Sequence, residues 1–356
     1  MQEKIFKQLV INPGSVSTKI SYFENETEVW RETLRHDASL LKTFSTVAEQ
    51  MPYRKELILK LLREKGLSVE TLDAISARGG LFRHIPSGTY RVNDKVIGDI
   101  HVARYGEHAS NLGAYLAAEL GGPCGIPAYF TDPVCVDELQ NIARISGYKG
   151  IERESFFHAL NQKYIARKAA AQLQKPYEEL RLIVVHLGGG VSVAAHENGR
   201  VVDVFNVLSE GSMGLDRPGT LPAHGVVDLC FSGLTKAEVK RKIVNEAGVY
   251  SYLGTKDFQE AEGRAFSGDA EAMLIFRALA YQLSKDIGAM FAVLRGRADA
   301  IVYTGGMAYS DKLCGEISSY VSAFAPIIRL PGEEEMHALA EGTLRVLRNE
   351  AEPLVY

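Results

Sequence analysis

The feature that most constrains the fold is a coarse internal repeat of a β-turn-β-turn-β pattern. One copy is FKQLVINPGSVSTKISYFENETEVWRETL at residues 6–34, and the other is RLIVVHLGGGVSVAAHENGRVVDVFNV at residues 181–207. Each copy has an apolar strand, a turn rich in Gly or Ser, a second strand and a third strand. A repeat of this kind predicts two similar domains.

Helices and strands alternate after each copy, which predicts a mixed α/β fold. A chain of 356 residues is long enough for two domains. We expect an N-terminal domain of residues 1–152 plus 337–356, a C-terminal domain of 153–336, and a cleft between them that could hold a ligand. The expected elements after the repeats are helices at 53–65, 109–120, 155–173, 272–294, from 309, and 333–348, with strands at 126–130, 299–304 and 326–330.

Composition excludes several classes of protein. Forty basic against forty-four acidic residues give a net charge of −4, which disfavours a nucleic-acid partner. No stretch reaches about 18 apolar residues without a charge, which argues against a membrane span. The chain has four widely spaced cysteines without zinc-ligand spacing, and we expect reduced thiols in apolar surroundings and a cytoplasmic protein. These are Cys124, Cys135, Cys230 and Cys314.

The glycine-rich turns predict phosphate binding of an unusual kind. A dinucleotide loop needs a helix directly after the glycines, but Gly188, Gly189 and Gly190 precede the strand-like run 191–195. The chain also contains no Walker-type loop. In a hairpin turn, small residues let backbone N–H groups approach phosphate oxygens, and Ser15, Ser17 and Lys19 add further donors. A plain tight hairpin is the alternative for either turn alone, whereas the pair together favours a nucleoside triphosphate.

A third glycine pair, Gly305 and Gly306, follows the apolar run 300–304 and precedes a helix. Exposed backbone at this position lets a flat ring or a ribose dock. A close helix-strand turn is the alternative that this pair alone would favour.

The segments INPGSVSTK, HLGGGVSV and YTGGM resemble the two phosphate motifs and the adenosine motif of the acetate kinase family. The resemblance spans nearly the whole chain. It implies two duplicated ribonuclease-H-like domains of the actin-like ATPase superfamily, the second of them nucleotide-binding. The longer blocks SARGGLFRHIPSGTYRVN, GEHASNLGAYLA, FFHALNQKYIARKAA and EGSMGLDRPGTLP look specifically like butyrate kinases and branched-chain fatty acid kinases.

This resemblance implies the following roles. The catalytic group is Arg217, Arg78, His186, Asp132 and His158, and the carboxylate-side group is Arg78 and His108. Asn12 and Glu335 would serve Mg²⁺, with a shift from Glu335 onto Glu334 left open. Nucleotide-binding residues are Asn12, Gly14, Ser15, Ser17, Lys19, Gly188, Gly189, Gly190, Asp257, Gly305, Gly306 and Met307. The resemblance also implies a homodimer or an assembly of dimers.

Two positions depart from the family pattern. Arg78 lies three positions later than the corresponding arginine of acetate kinases, so its role would be exerted from a displaced position. An adenine-side arginine of the family is Gln259 here, which affects nucleotide affinity or base preference.

These residue types suit phosphoryl transfer to a carboxylic acid. Such an acid is ionised at neutral pH, so its attack on the γ-phosphorus needs no general base. The obstacle is repulsion between anions, roughly 4 kcal/mol per unit pair at about 4 Å and an effective dielectric constant near 20. Arg217, Arg78, Mg²⁺ and His186 would supply the positive charge, and Asp132 would orient an arginine or a metal-bound water.

Alternatives remain for single residues and for the function. An arginine in a Gly-rich turn is often simply solvated, His158 could be a histidine at the core edge, and the acidic run 333–335 could offset a helix dipole. The leading hypothesis is an ATP-dependent butyrate kinase that also runs in reverse. A branched-chain fatty acid kinase is the rival enzyme, and a non-catalytic nucleotide-dependent switch is the rival from another class.

Overall fold

The architecture is taken from a computed structural model, which describes residues 4–356. This part of the chain contains twelve strands in two sheets. In chain order they are β1 (Lys7–Pro13), β2 (Ser17–Glu24), β3 (Thr27–Arg35), β4 (Ala74–Arg78), β5 (Thr89–Arg91), β6 (Ala128–Thr131), β7 (Arg181–Leu187), β8 (Val191–Glu197), β9 (Arg200–Val204), β10 (Ala300–Thr304), β11 (Ile327–Arg329) and β12 (Leu354–Val355).

Thirteen α-helices occur in the same residues 4–356, together with short 3₁₀ turns. The helices are α1 (Ala38–Leu41), α2 (Met51–Glu64), α3 (Asp94–His101), α4 (Asn111–Gly121), α5 (Asn141–Arg144), α6 (Ala159–Gln172), α7 (Ala223–Cys230), α8 (Lys236–Asn245), α9 (Gly248–Leu253), α10 (Phe258–Phe266), α11 (Ala270–Val293), α12 (Asp311–Val321) and α13 (Glu335–Leu347).

Contacts divide the chain into two compact units. The first unit runs to Val136 and takes back the C-terminal segment Glu334–Tyr356, and the second is Asp137–Glu333. The strand order is β12-β5-β6-β4-β1-β2-β3 in the first unit and β11-β10-β7-β8-β9 in the second. These units describe packing alone, and the domain bounds expected from the sequence stay a prediction.

The predicted duplication is confirmed by the strand pairing. In the first unit β1, β2 and β3 are antiparallel neighbours and β4 lies parallel to β1. The second unit repeats this arrangement with β7, β8 and β9 antiparallel and β10 parallel to β7. The fold is therefore the duplicated, mixed α/β fold that the sequence predicts.

Each unit has an aspartate directly before its parallel strand, and this aspartate bonds to the first residue of the unit's first strand. The N–H of Lys7 donates to Asp73 Oδ2 at 2.8 Å, and the N–H of Asp73 donates back to Lys7 O at 2.8 Å. In the second unit Arg181 and Asp299 make the same pair of bonds, at 2.8 and 2.7 Å. This contact fixes the register of the strand pair from which each glycine turn emerges.

The second hairpin turns correspond as well. Asn25 and Asn198 occupy equivalent positions after β2 and β8, and both have a φ of 52°. Asparagine tolerates this left-handed backbone because its short polar side chain bonds locally. Each hairpin also carries a register shift shortly before its asparagine.

Most predicted elements are confirmed within a few residues, but one boundary is wrong. The helix expected from residue 155 begins at Ala159, and His158 is its non-helical N-cap residue, with φ −77° and ψ 60°. The side chain of His158 bonds to Ser192 on β8, which positions it ahead of the helix. Strand β5 and helices α3 and α7 to α10 lie outside the elements expected from the sequence.

The cysteine expectation is only half right. Cys135 and Cys314 are buried, whereas Cys124 and Cys230 are exposed rather than in apolar surroundings. All four are free thiols in the structure. Within residues 4–356, no helix has the length and apolarity needed to cross a membrane.

Candidate active site

The first glycine turn joins β1 to β2 in the first unit. Gly14 N–H donates to Ser17 O at 2.7 Å, which closes the turn and leaves Ser15 exposed. Asn12 and Lys19 are opposite each other in the β1–β2 pairing, so their side chains project from the same face of the hairpin. The turn thus combines backbone amides, hydroxyls and an ammonium group in one place.

Three of the expected residues meet in the first unit. Glu335, the first residue of α13, accepts a hydrogen bond from Asn12 Nδ2 at 2.7 Å through Oε2. Its other oxygen contacts the guanidinium of Arg78, the last residue of β4. The side chains of Arg78 and Glu335 are 23% and 20% exposed, so one edge of the cluster faces solvent. A guanidinium, an amide and a carboxylate are therefore assembled at one end of the sheet.

Asp132 is bonded to residues outside this cluster. It follows β6 with a φ of 40°, and its Oδ1 accepts hydrogen bonds from Ser87 Oγ and Gly88 N, each at 2.7 Å. In the described residues Asp132 has no hydrogen bond or ion pair with Arg78. The buried carboxylate thus holds the turn that leads into β5.

His108 is an exposed residue just before α4. Its Nδ1 lies 2.8 Å from Ser110 Oγ and accepts the Ser110 N–H at 3.2 Å. Helix α4 begins close to the end of β4. The contact is so close that a Cβ on Gly113 would collide with the carbonyl oxygen of Arg78. This packing places His108 at the same end of the sheet as Arg78.

The other two glycine turns lie side by side in the second unit. They follow β7 and β10, which are parallel neighbours with His186 opposite Thr304. Gly305 has a φ of 87° and exchanges backbone hydrogen bonds with Gly332 at 3.1 and 3.0 Å. A Cβ on Gly305 would collide with Leu187 O, so only glycine fits there. Carboxyl ends of adjacent parallel strands are the usual ligand-binding edge of such sheets.

Of the remaining expected residues in these turns, Gly306 is exposed and Met307 is buried behind it. Asp257 caps the N-terminus of α10, accepting the N–H of Gln259 at 2.8 Å and that of Glu260 at 3.4 Å. Gln259 itself is exposed. Asp257 therefore has a structural use that is independent of any nucleotide.

Arg217 lies against the glycine turn after β7. Leu215 N–H donates to Gly189 O at 3.0 Å, and a Cβ on Gly190 would lie 2.5 Å from Arg217 Nη1. The Nε atom of Arg217 is buried, and no hydrogen-bond partner for it occurs among the described residues. A guanidinium with an unused donor thus sits next to the turn expected to hold phosphate.

Helix α11 anchors the segment that carries Arg217. Asp286 Oδ2 accepts from Ser212 N at 2.6 Å and from Ser212 Oγ at 2.5 Å. One helical turn earlier, Gln282 Oε1 accepts from Met213 N at 2.9 Å. Burial raises the pKa of Asp286 to about 6, although the hydrogen bonds from Ser212 oppose the rise.

The two expected histidines are stacked. The ring centroids of His158 and His186 are 3.8 Å apart, with 13° between the planes. His186 Nδ1 lies 2.8 Å from Asn161 Oδ1, and because an amide oxygen can only accept, Nδ1 carries a proton. His186 Nε2 lies 3.4 Å from Glu333 Oε1.

A buried chain of hydrogen bonds leads to His158 from the far side. Tyr177 OH lies 2.8 Å from His196 Nδ1, and His196 Nε2 lies 3.0 Å from Gln162 Oε1. Gln162 Nε2 donates to Ser192 Oγ at 2.8 Å, and Ser192 Oγ lies 2.9 Å from His158 Nδ1. Burial, followed by nearby positive charge, lowers the pKa of His196 well below its usual value, so His196 is neutral.

The proton positions in this chain follow from its acceptors. Gln162 Oε1 must accept, so His196 carries its proton on Nε2 and receives the Tyr177 hydroxyl on Nδ1. Ser192 Oγ accepts from Gln162, and its own proton and second lone pair allow it either to donate to His158 Nδ1 or to accept from it. In the sequence only the i, i+4 spacing of His158 and Gln162 hints at this chain.

The duplicated, mixed α/β fold agrees with the fold expected for the acetate kinase family. A model of the acetokinase family matches residues 144–323. Butyrate kinase 2 of Clostridium acetobutylicum is 47% identical over 353 residues, which covers 99% of each chain.

Solved structures share the fold. The acetate kinase of Porphyromonas gingivalis has a TM-score of 0.80 at 21% identity, over 96% of this chain and 100% of that one. A propionate kinase of Francisella tularensis has a TM-score of 0.77 at 17% identity, over 95% and 98%. The chain belongs to the acetokinase family, and it is a phosphotransferase that acts on the carboxyl group of a short-chain fatty acid.

Proposed function

We propose that the chain phosphorylates butyrate with ATP to give butyryl phosphate, and that it also makes ATP in the reverse direction. The observation that carries this proposal is the 47% identity to a butyrate kinase over 99% of both chains. The same match leaves the branched-chain alternative without specific support. A non-catalytic switch is disfavoured because the chain belongs to a family of carboxyl phosphotransferases.

The positive charges suit the proposed chemistry. Butyrate is ionised at neutral pH, so transfer requires that the repulsion between two anions be offset rather than that a proton be removed. Arg217 has a buried Nε without a hydrogen-bond partner in residues 4–356, and its Nη1 lies close to Gly190. A guanidinium in this state would bind equatorial phosphoryl oxygens as charge develops. Arg78, anchored by Glu335, would bind the carboxylate or a phosphoryl oxygen.

His158 would act as a donor rather than a base. The Ser192 hydroxyl would donate to His158 Nδ1, so His158 would carry its proton on Nε2 and could donate it to a phosphoryl oxygen. His186 is oriented by Asn161 and lies directly before the glycine turn. Asp132 would act through the 87–88 turn that it holds.

Asn12 and Glu335 fit a magnesium ion that arrives with the nucleotide. Mg²⁺ prefers carboxylate and amide oxygens and is usually held by one or two carboxylates plus substrate phosphates. In residues 4–356, no group of three or more His, Cys, Asp and Glu side chains could hold a metal without substrate. When bound, the ion would neutralise charge on the β- and γ-phosphates. The chain's own contribution is to hold Glu335 in place through Asn12 and Arg78.

The glycine turns would bind the nucleotide. In the first unit, Gly14, Ser15, Ser17 and Lys19 would contact phosphate oxygens, and in the second unit the turn 188–190 would do so. The adenosine would dock at Gly305, Gly306 and Met307. Asp257 and Gln259, at the start of α10, would also bind the nucleotide. A cytoplasmic location and a homodimer or an assembly of dimers stay proposals of the same kind.

A hydroxamate assay for the acyl phosphate tests the function. Butyrate, isobutyrate, isovalerate and acetate are compared at equal concentration, with ATP and Mg²⁺, and we expect the highest kcat/KM for butyrate. One methylene is worth only about 10- to 200-fold in discrimination, so all four acids must be measured. A preference for isobutyrate or isovalerate would establish the branched-chain alternative. ATP binding without any acyl phosphate would establish the switch.

A further inference from the structure

Arg54 is a buried arginine beneath the first glycine turn. It lies on α2 in the first unit and is 1% exposed, although the sequence places it in an ordinary amphipathic helix. Its guanidinium makes six hydrogen bonds, at distances from 2.8 to 3.2 Å. The acceptors are Gly14 O, Ser15 O, Ser17 O, Thr18 Oγ1 and, twice, Gln50 Oε1.

None of these acceptors carries a charge. In the described residues no carboxylate lies within ion-pair distance of Arg54, and the neighbouring His36 is also kept neutral. Burial, followed by the charge of Arg54, lowers the pKa of His36 to about 4. Burial also lowers the pKa of Arg54, but only to about 10, so the side chain stays a cation at neutral pH. A buried cation without an internal counter-charge is costly and needs an explanation.

The hydrogen bonds also set the direction of the turn's amides. Arg54 binds the consecutive carbonyl oxygens of Gly14 and Ser15, at 2.9 and 3.2 Å. In a trans peptide the C=O and the next N–H point in opposite directions. The N–H groups of Ser15 and Val16 therefore point away from Arg54, toward the surface on which both residues are exposed. Successive outward amides form an anion-binding concavity.

We propose that Arg54 is a positioning residue for the phosphates of the nucleotide. It pins the carbonyls of the turn inward so that the amides of Ser15 and Val16 face the phosphate oxygens, and its unpaired charge is balanced by those phosphates when the nucleotide binds. The inference rests on the proposed function, because it takes this turn to be a phosphate site.

The sharpest test supplies the missing counter-charge inside the protein. Gln50→Glu keeps the size of the side chain that already accepts two bonds from Arg54, and adds one negative charge beside it. We expect an equal or higher Tm, since the cation gains an ion pair. We also expect the Kd for ADP and for pyrophosphate to rise about tenfold, because the charge beneath the turn is neutralised. A purely structural role for Arg54 would leave both constants unchanged.

Lys55→Gln is the matched control. This substitution lowers the net charge by one unit, as Gln50→Glu does, at the residue that directly follows Arg54 on α2. Lys55 pairs with Glu119 at 3.1 Å and does not contact the turn. Its nucleotide affinity should stay within about twofold of the wild type. An equal loss in Lys55→Gln and Gln50→Glu would reduce the effect to general charge and overturn the proposal.

Arg54→Gln and Arg54→Lys separate the charge from the hydrogen bonds. We expect the glutamine variant to lose at least tenfold in pyrophosphate and ADP affinity, and the lysine variant to recover part of this loss because it keeps the charge. The KM for ATP should rise more than kcat falls, as expected for binding in ground and transition states alike. A folded Arg54→Gln with wild-type affinity would overturn the proposal. If neither variant folds, Gln50→Glu decides alone.

Calorimetric titration of the wild type with ADP separates this inference from the proposed function. Wild-type protein that binds neither ADP nor pyrophosphate contradicts the proposed function and with it the role of Arg54. Wild-type binding that is unchanged in Gln50→Glu and Arg54→Gln contradicts only the role of Arg54.

Discussion

The rings of His158 and His186 lie parallel, 3.8 Å apart between centroids and 13° apart in plane. Each ring is fixed by a different partner, His158 by Ser192 and His186 by Asn161. With the Ser192 hydroxyl donating to His158 as proposed, the His158 ring carries its proton on Nε2, whereas the neighbouring His186 ring carries its proton on Nδ1. Two neighbouring histidines thus offer different hydrogen-bonding capacity to one ligand.

Removing the hydroxyl that fixes His158 tests this relationship. In Ser192→Ala, Nδ1 of His158 loses its donor and Gln162 Nε2 loses a side-chain acceptor, so the ring is free to turn or to change tautomer. We expect kcat to fall about 10- to 100-fold with little change in KM. In NMR spectra of the substrate-free protein, the ¹⁵N chemical shifts of the His158 ring should differ between Ser192→Ala and the wild type.

Ser284→Ala is the control for that experiment. Ser284 is also buried, but its hydroxyl bonds to the carbonyl of Ala280 within α11. Its kcat should match the wild type. Unchanged kcat and unchanged ¹⁵N shifts in Ser192→Ala would contradict the orientation of His158 described here.

Arg217→Ala should remove charge that is needed most in the transition state. Loss of one such donor typically costs about 10²- to 10³-fold in kcat, and ATP affinity should change little. Arg241→Ala provides a control, because Arg241 is an exposed arginine of the same unit that pairs with Glu246, a residue outside the site. A folded Arg217→Ala with wild-type kcat would exclude Arg217 from the mechanism.

Asp132→Asn should reveal whether a protein base is needed. Asparagine keeps an oxygen for the bonds from Ser87 and Gly88, so the turn is retained. Because butyrate is already ionised, we expect a kcat deficit that is constant from about pH 6.5 to 8.5 and that exogenous imidazole does not relieve. Recovery at high pH or with imidazole would show that Asp132 removes a proton.

Asp286 predicts a specific pH dependence of stability. Burial raises its pKa to about 6 in the folded protein, from 3.8 for an ordinary aspartate. The folded state therefore binds the proton more tightly than the unfolded state, and this group adds stability below about pH 4 that is lost as the pH rises through 6. A rise in pKa of this size corresponds to roughly 3 kcal/mol in the free energy of unfolding.

Asp286→Asn should remove this contribution. Amide oxygen can still accept from Ser212, so we expect a free energy of unfolding at pH 8 equal to or above that of the wild type, and a flatter profile between about pH 4 and 6. Denaturant titrations across that range measure it. Asp228→Asn, at an exposed aspartate of α7, should leave the profile unchanged. If the free energy of unfolding of Asp286→Asn changed with pH as steeply as that of the wild type, a group other than Asp286 would be responsible.

Local sequence patterns determined the fold class and the three glycine turns. Strand alternation and turn residues act over a few positions, so the repeated hairpins at 6–34 and 181–207 could be identified from the sequence. The same holds for β10 and α11, whose apolar periodicity sets their bounds within two residues. The family could also be recognised from the sequence, because the resemblance lies in long contiguous segments of the chain.

Contacts between residues far apart in sequence were decided only by the tertiary structure. Glu335 meets Asn12 across 323 positions and Arg78 across 257, and no local pattern encodes such a meeting. Nothing in α2 distinguishes Arg54 from a solvated arginine, because the backbone carbonyls of Gly14 and Ser15 that it binds lie about 40 residues earlier on a different element. Likewise, the chain from Tyr177 to His158 is formed by sheet packing. Local propensity acts along the chain, whereas the burial and pairing of polar groups are settled only when distant elements pack together.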